Sequence, residues 1–267
     1  MRFAIRNLRA SRVNLLMNDY AAGLPSPMSF LGLAESLGRD LGVEPWMASV
    51  LPILHEVHVS EGRTKPEMEQ KSSVFTPIEI VEDLVGTINV SLILDLPGHE
   101  DADAVKSLIL CKRIAGGAIS NTDLSVDSVA RDGSCLKSMP RGYAMIRPDQ
   151  QERRLISSGD LTQMERIARI LFPEVREPGR GWIVPVAVGH RLLEDPDEVP
   201  KRLRSRSPDI PHVFVEPCVG IAELISVRNP RLTGLDDDGM ADRFWRWTTG
   251  GSHIVAHPAY HPHNARP

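Results

Sequence analysis

The sequence predicts an α+β fold built around an antiparallel sheet. Apolar and polar residues alternate over residues 2–8 and 87–96, which is the pattern of strands with one buried face. Apolar residues recur at helical spacing after Pro27 and again after Asp101. Strands and helices that alternate along the chain in this way indicate helices packed on one face of a sheet.

The bulk composition is that of a soluble globular protein. The 267 residues are 42% hydrophobic and 25% charged, with 5% aromatic residues and a formal net charge of −4. This charge argues against indiscriminate nucleic-acid binding but leaves room for a local basic groove. No apolar run approaches the roughly 18 residues of a membrane span, and the N-terminus has no signal-peptide core. We therefore expect a cytoplasmic protein without a membrane partner.

The first strand is predicted over residues 2–8, and it begins a basic segment. Phe3 and Ile5 face one way, and the arginines of the strand face the other. Four arginines precede the first acidic residue: Arg2, Arg6, Arg9 and Arg12. These side chains could receive phosphates, or they could be solvated charges on an exposed strand face.

The stretch Gly23–Pro27 is predicted to start the first helix. Ser26 is a typical N-cap and Pro27 suits the first helical position. Gly42 can end the helix in the left-handed conformation. Gly32 lies inside the helix, where glycine costs about 1 kcal/mol relative to alanine, so we expect another element to pack closely there.

A second strand is predicted over residues 50–59, with Pro52 confined to an edge or an irregular position. Residues 60–86 are polar and contain glycine and prolines, which indicates an extended hairpin or loop. The clearest strand follows over residues 87–96.

The second helix, capped by Asp101 or Asp103, leads to Gly116-Gly117 and a short strand near residues 118–119. The order of elements up to this point is the split βαβ, or ferredoxin-like, pattern. With two helices on one face of the sheet, the other face is expected to be free to bind a ligand, as in RNA-recognition modules.

The second half is less regular, and we interpret it as an elaboration of the same domain. Predicted strands lie at 138–147, 181–186, 212–216 and 219–227, with helices within 149–172 and a charged loop at 191–210. The tail is aromatic and then rich in histidine and proline, which favours a solvated segment. We predict one domain over 1–267, with a core over about 1–147 and an elaboration over about 148–267.

The turn at Gly116-Gly117 is the first candidate for RNA contact. Glycines let an RNA backbone approach closely, while Lys112 and Arg113 just upstream could neutralise phosphates. The alternative is a simple helix C-cap, a role we expect of Gly116 in any case. The acid-free run Lys201–Arg206 could contact RNA, DNA or an acidic neighbour, or be solvated.

Catalytic and metal-binding signals are weak. His55 and His58 are three residues apart on a predicted strand, so their side chains should point to opposite faces. The three cysteines are far apart and form no C-x-x-C pair. No nucleophile elbow, phosphate loop or paired carboxylates stand out. We predict no metal, no cofactor and no enzymatic activity.

Several motifs together resemble the family of guide-RNA 5′-end subunits, of the Cas-five type, from type I-F CRISPR surveillance complexes. This is the second subunit of the Csy complex. The matching pieces stand in family order: the N-terminal strand, Gly23–Pro27 with Phe30 and Gly32, Arg113–Ile119, Met139–Ile146, Gly181–Pro185, Phe214–Glu216 with Gly220, and Arg246–Thr248.

The resemblance implies an RRM-like core and a non-catalytic role in antiviral defence. Such subunits bind the 5′ handle of the guide RNA and contact the large subunit and the first backbone subunit. Contact with target DNA near the protospacer-adjacent motif is a further expectation. The family also carries a thumb-like hairpin, and residues 60–86 occupy its place.

The sequence leaves three functions open. The predicted RNA contacts of the leading hypothesis are Arg6, Asn7, Arg9, Arg12, Arg63, Lys65, Lys71, Arg113, Gly116 and Gly117. The lysines and arginine of the excursion are the weakest of these, because neighbouring glutamates nearly cancel them. The alternative is a metal-independent RNA endonuclease that uses His55 or His58 as general acid–base. The third is an interaction domain without RNA.

Overall fold

The computed structural model describes most of the chain. The described residues are 1–18, 21–60, 64–82, 84–148, 162–175, 178–199, 202, 207, 210–250 and 252–258.

Strands dominate the structure, and the helices are few. The longer strands are β1 (Arg2–Asn14), β4 (Ser49–Val59), β5 (Thr64–Lys71), β6 (Val74–Glu82), β7 (Val85–Asp95), β12 (Trp182–Leu192) and β13 (Val215–Ser226). The shorter strands are β2 (Leu16–Asn18), β3 (Ala21–Ala22), β8 (Arg113–Ile114), β9 (Gly117–Ile119), β10 (Ser125–Val129), β11 (Tyr143–Ile146), β14 (Trp245–Gly250) and β15 (His253–Pro258). The α-helices are α1 (Pro27–Asp40), α2 (Ala102–Ile109), α3 (Gln163–Leu171), α4 (Pro230–Thr233) and α5 (Asp237–Ala241), with a 3₁₀ helix at Gly133–Ser138.

One large antiparallel sheet organises the molecule, which confirms the predicted α+β class. Its strand order is β11-β13-β12-β15-β14-β4-β7-β1-β9-β8, and β10 also pairs with β1. Strand β11 pairs with β4 as well, so the strands from β11 to β4 form a closed circuit of pairs. The first-half strands β4, β7, β1 and β9 lie side by side at one end of this order.

The first helix begins and ends where the sequence predicts. Ser26 Oγ accepts a hydrogen bond from the backbone N–H of Met28 at 3.1 Å, and Pro27 is the first helical residue. Gly42 follows the helix with φ of +73°. The expectation for Gly32 is wrong: the residue is exposed, and a Cβ built on it meets nothing within 4 Å.

The hydroxyl of Ser26 also links α1 to the second half of the chain through a hydrogen bond. It donates a hydrogen bond to the carbonyl of Ala187 on β12 at 2.6 Å. One side chain therefore caps α1 and sets where β12 lies against the helix.

Pro52 occupies an irregular position, as predicted. It pairs with Leu92 of β7 on one side. On its other side the pairing with β14 ends at Val50 and the pairing with β11 begins at Ile53. The missing N–H of proline therefore falls in the gap between two partner strands.

The excursion after β4 is a two-stranded hairpin, as predicted. Strands β5 and β6 pair only with each other among the described residues and leave the main sheet. Ser72 takes the left-handed conformation at the tip, with φ of +58°.

The sheet is covered on both faces over part of its area, so the expectation of a wholly free second face is wrong. Helices α1 and α2 pack against one face, over residues such as Phe3 and Leu92. On the other face, residues of the central strands pack under the 3₁₀ helix, α4 and α5: Ala4, Leu51, Ile53 and Ile93.

The buried state of Arg2 is the clearest departure from the predicted first strand. Its side chain is 0% exposed, pairs with Asp95 at 3.2 Å and with Asp237 at 3.1 Å, and lies 4.8 Å from the ring centroid of Phe244. These partners come from β7 and from the C-terminal half of the chain.

The second half differs from prediction in two places. Residues 215–226 form one strand rather than two, and His253 and His257 lie in β15 rather than in a solvated tail. Helix α3 is confirmed, with a capping box between Thr162 and Glu165. Residues 149–161, part of the predicted helical region, lie outside the described residues. The single-domain division stays a prediction.

No helix in the described part of the chain is long and apolar enough to cross a membrane.

Candidate nucleic-acid interface

The uncovered part of the second sheet face is a polar cleft of about 450 Å³. Two rows of side chains cross three strands there. The first row is Arg9 on β1, Asn89 on β7 and Glu56 on β4, which are paired in register. The second row is Ser11, Thr87 and His58, paired in the same way. We call this surface the polar cleft.

Two bulges mark the boundary between the covered half of this face and the polar cleft. In β1 the register shifts between Ile5 and Leu8, and Asn7 takes a φ of +58°. In β4 the register shifts between Leu54 and Glu56. Both shifts lie opposite the same stretch of β7. A bulge re-aims the residues around it, which carries Arg9 and Glu56 onto the open surface.

His55 is the extra residue of the second bulge, and both of its ring nitrogens are engaged. Nδ1 lies 2.8 Å from the carbonyl of Arg141, which can only accept, so Nδ1 carries the proton. Nε2 lies 2.7 Å from Ser91 Oγ and, in the neutral ring, accepts from that hydroxyl. Ser91 is fully buried and also accepts from the N–H of Asn7 at 3.4 Å.

The prediction that His55 and His58 point to opposite faces is therefore wrong. His55 bonds Ser91, and His58 lines the polar cleft beside Thr87. Ser91 and Thr87 share a face because they lie four residues apart on one strand. The bulge breaks the alternation in β4 and brings both histidines to the same side.

Arg9 is exposed, and its guanidinium has no hydrogen bond or ion pair among the described residues. Its backbone is fixed instead: the N–H of Arg9 donates to Asn121 Oδ1 at 2.8 Å, and Asn121 Nδ2 donates to the carbonyl of Asn7 at 2.8 Å. The hydrogen bond from Asn121 to Asp123 is the main cause that lowers the pKa of Asp123, and the positive charge of Arg9 adds to it. Hydrogen bonds to Asn121 therefore fix the backbone of β1, while the guanidinium of Arg9 is available to bind a ligand.

Arg12 lies at another bulge of β1, where the register shifts between Ser11 and Val13. Its φ is +56°, and its exposed side chain has no partner among the described residues. The hairpin turn of Ala115 and Gly116 lies near it, with φ of +48° and +77°. The expectation that Gly116 caps a helix is wrong, because α2 ends at Ile109 and Gly116 belongs to the turn between β8 and β9.

The two glycines of this turn have different roles. Gly116 is exposed, with open space where a Cβ would stand. Gly117 is buried, and a Cβ there would lie 2.6 Å from the carbonyl oxygen of Ser11. The backbone that lies close to Gly117 is therefore that of β1 in the same chain. Arg113 is exposed and donates from Nη1 to the carbonyl of Gly116 at 3.1 Å.

The turn and the base of the β5–β6 hairpin meet at the far end of β1. The N–H of Asn14 donates to the carbonyl of Ala115 at 2.9 Å. The N–H of Leu15 donates to the carbonyl of Leu84 at 3.0 Å, next to the start of β7. Arg12, the turn and the hairpin base therefore share one end of the sheet.

Two of the cations considered from sequence are engaged within the chain. Arg6 is ion-paired with Asp127 and donates to Ser138 Oγ at 3.0 Å. Lys112 Nζ donates to Ser36 Oγ at 2.9 Å and to Asp40 at 2.5 Å, which ties the end of α2 to α1.

The remaining basic candidates are only partly described. Arg63 lies outside the described residues. Lys65 and Lys71 lie on β5, but their side chains are not described. Of Lys201–Arg206 only Arg202 is described; it donates to Glu194 at 2.5 Å and lies 4.4 Å from the ring centroid of Phe214.

Sequence reasoning missed several residues of the polar cleft: Glu56, Thr87, Asn89 and Ser120. Their signal was present, since each is a polar residue on or beside a strand whose alternate residues are apolar. No cluster of three or more metal-ligating side chains occurs among the described residues.

Comparison with known proteins supports the resemblance. A family model described as CRISPR-associated protein (Cas_Csy2) matches residues 157–253. Over these residues the chain is similar to CRISPR-associated proteins of the Csy2 type. Within the described residues, the match spans α3, β12, β13, α4, α5 and β14, and it does not include the polar cleft. No curated protein matches the chain.

Proposed function

We propose that the chain is a non-catalytic subunit of a type I-F surveillance complex that binds the 5′ handle of the guide RNA. The observation that carries the proposal is that Arg9 and Arg12 on β1 are exposed and have no side-chain partner among the described residues, while the central strands beside them are covered on both faces. Exposed cations beside polar strand residues suit an RNA backbone and its base edges.

The phosphate path of the proposal runs over the end of β1. Arg12 and Arg113 are exposed there, on either side of the close packing between Gly117 and Ser11. Gly116 adds a turn without a side chain, which leaves room for a nucleic-acid backbone. The handle would then continue from this end toward Arg9.

The ferredoxin-like core is part of the proposal. The order β4-β7-β1-β9, with every pair antiparallel and both α1 and α2 on one face, supports it. A binding surface on the face opposite the helices is the arrangement that RNA-recognition modules use.

The proposed absence of catalysis is supported by the state of His55, whose two ring nitrogens are both hydrogen-bonded. A second candidate function has one observation in its favour: His58 is exposed in the polar cleft, 3.9 Å from Glu56. A carboxylate beside a histidine is an arrangement that general acid–base catalysis uses. Cleavage of repeat RNA by the purified chain, lost in His58→Ala, would establish the endonuclease instead.

The partners belong to the same proposal. They are the guide RNA, the large subunit and the first backbone subunit, with target DNA near the protospacer-adjacent motif as a further contact and the cytoplasm as the site of action. Co-expression with the neighbouring subunits, purification and sequencing of the bound RNA tests it. We expect one discrete small RNA with a common 5′ end; recovery of no discrete RNA would overturn the proposal.

A further inference from the structure

The first row of the polar cleft places a cation, an amide and a carboxylate across three neighbouring strands. Arg9 and Glu56 both pair with Asn89, from opposite sides. Strands lie about 4.8 Å apart, so the backbones of Arg9 and Glu56 are separated by roughly 10 Å. That span accommodates a purine base with a hydrogen bond at each edge.

We infer that this row selects a guanine base in single-stranded RNA. The inference rests on the proposed function and names the base that the polar cleft takes. Guanine presents two acceptors, O6 and N7, on one edge, which an arginine can bond together. Its Watson–Crick edge presents two parallel donors, the N1–H and the N2 amino group, which match the two oxygens of a carboxylate.

The other three bases do not fit both ends of the row. Adenine offers a donor and an acceptor where guanine offers O6 and N7. Cytosine presents one donor and then two acceptors along its Watson–Crick edge, and uracil presents one donor between two acceptors, so one carboxylate oxygen would face an acceptor. A like-charged pair of atoms in the wrong complex is a strong source of discrimination.

Both ends of the row are free to bind. The guanidinium of Arg9 has no hydrogen bond or ion pair among the described residues. Among the described residues, Glu56 has one ion-pair partner, His58, at 3.9 Å. This pair is ionic only when His58 is protonated. Arg9 and Glu56 do not neutralise each other, because Asn89 separates them.

The floor of the row also favours a ligand that brings donors. The side-chain oxygen of Asn89 is buried and has no hydrogen-bond partner among the described residues. Rotation of the amide would offer that oxygen to an N–H of the base. The cleft contains no phenylalanine, tyrosine or tryptophan among its lining residues, so hydrogen bonds to base edges rather than aromatic stacking would set the selectivity.

The test uses the full chain and fluorescein-labelled RNA octamers in an anisotropy titration. The octamers are oligouridine with one central guanosine, inosine, 7-deazaguanosine or adenosine. Inosine lacks the N2 amino group, and 7-deazaguanosine lacks N7. We expect each loss to weaken binding about threefold to tenfold, the usual effect of one hydrogen bond. Unlabelled guanosine monophosphate serves as competitor and should displace the octamer poorly, because it lacks the neighbouring phosphates.

Variants assign the two edges. Glu56→Gln should remove the preference for guanosine over inosine, and Arg9→Lys the preference for guanosine over 7-deazaguanosine. Glu44→Gln, an exposed glutamate on the loop after α1, is the matched control and should keep both preferences.

Equal, salt-sensitive binding of all octamers would overturn the guanine assignment while leaving RNA binding in place. A guanosine preference that survives Glu56→Gln would overturn the role of that carboxylate. Displacement by guanosine monophosphate at the octamer's own concentration would show a nucleotide site and overturn the RNA assignment. The proposed function itself is tested separately by copurification: it fails if no discrete RNA is recovered with the complex, whatever the octamers show.

Discussion

Removal of the Ser26 hydroxyl tests how the first helix is fixed to the rest of the chain. Ser26 Oγ accepts from the N–H of Met28 and donates to the carbonyl of Ala187. Loss of an N-cap costs about 1 kcal/mol, and loss of a second hydrogen bond costs about another 1 kcal/mol. Ser26→Ala should therefore lower the free energy of unfolding by about 2 kcal/mol. For a chain of this size that corresponds to a fall in Tm of roughly 4–8 °C.

The assay is thermal unfolding followed by circular dichroism. Ser26→Thr retains the hydroxyl and should melt within about 2 °C of the wild type. Ser29→Ala, in the first turn of the same helix, removes a hydroxyl that makes no hydrogen bond among the described residues, and it should not lower Tm. If Ser26→Ala melts with the wild type, the cap and the bond to Ala187 are absent in solution and the reasoning is refuted.

Two further substitutions and one thiol reaction follow from how exposed Arg2, Gly32 and Cys135 are. Arg2→Met should lower the free energy of unfolding by about 3–5 kcal/mol in urea titration, because it leaves Asp95 without its buried partner; a loss under 1 kcal/mol would contradict the ion pair. Gly32→Ala should raise stability by up to about 1 kcal/mol, since the helix position is exposed and open, and destabilisation would reveal a close neighbour. Burial raises the pKa of the Cys135 thiol to about 11, so at pH 8 that thiol stays protonated and should react with a thiol reagent far more slowly than exposed Cys111; equal rates in the native protein would contradict its burial.

Local patterns were sufficient to predict helix α1, strand β7 and the hairpin after β4. Helix α1 has its cap, its first proline and its terminal glycine within one short stretch, and each acts on neighbouring backbone groups. Strand β7 alternates between polar and apolar residues from Thr87 to Leu92, and the hairpin after β4 is bounded by turn residues. Such signals depend on residues close in sequence, so contacts with distant residues do not change the structure that they predict.

The polar cleft could be predicted only in part, because two β-bulges determine which side chains line it. The sequence identifies Arg9 as a cation on a strand, but the extra residues at Asn7 and His55 depend on pairing with β7. A register shift of one residue moves a side chain to the other face of the sheet, which is why the predicted orientation of His55 and His58 was wrong.

Contacts between distant residues account for the remaining differences. Arg2 is buried because Asp237, far along the chain, meets it. The Gly116 turn pairs with β1 instead of ending α2, since Ala115 accepts from Asn14. The histidines of β15 lie in a strand because β12 and β14 pair with it. Tertiary pairing overrides local propensity in each case.

The most direct measurement of RNA binding at the end of β1 is the salt dependence of affinity for guide RNA. The double variant Arg12→Ala/Arg113→Ala is compared with the wild type and with Arg39→Ala, an exposed arginine on α1. For single-stranded RNA, each lost phosphate contact lowers the slope of log K against log salt by about 0.7. We expect the double variant to bind more weakly with a slope smaller by about 1.4, and Arg39→Ala to match the wild type. A double variant with the affinity and slope of the wild type would contradict the proposed interface.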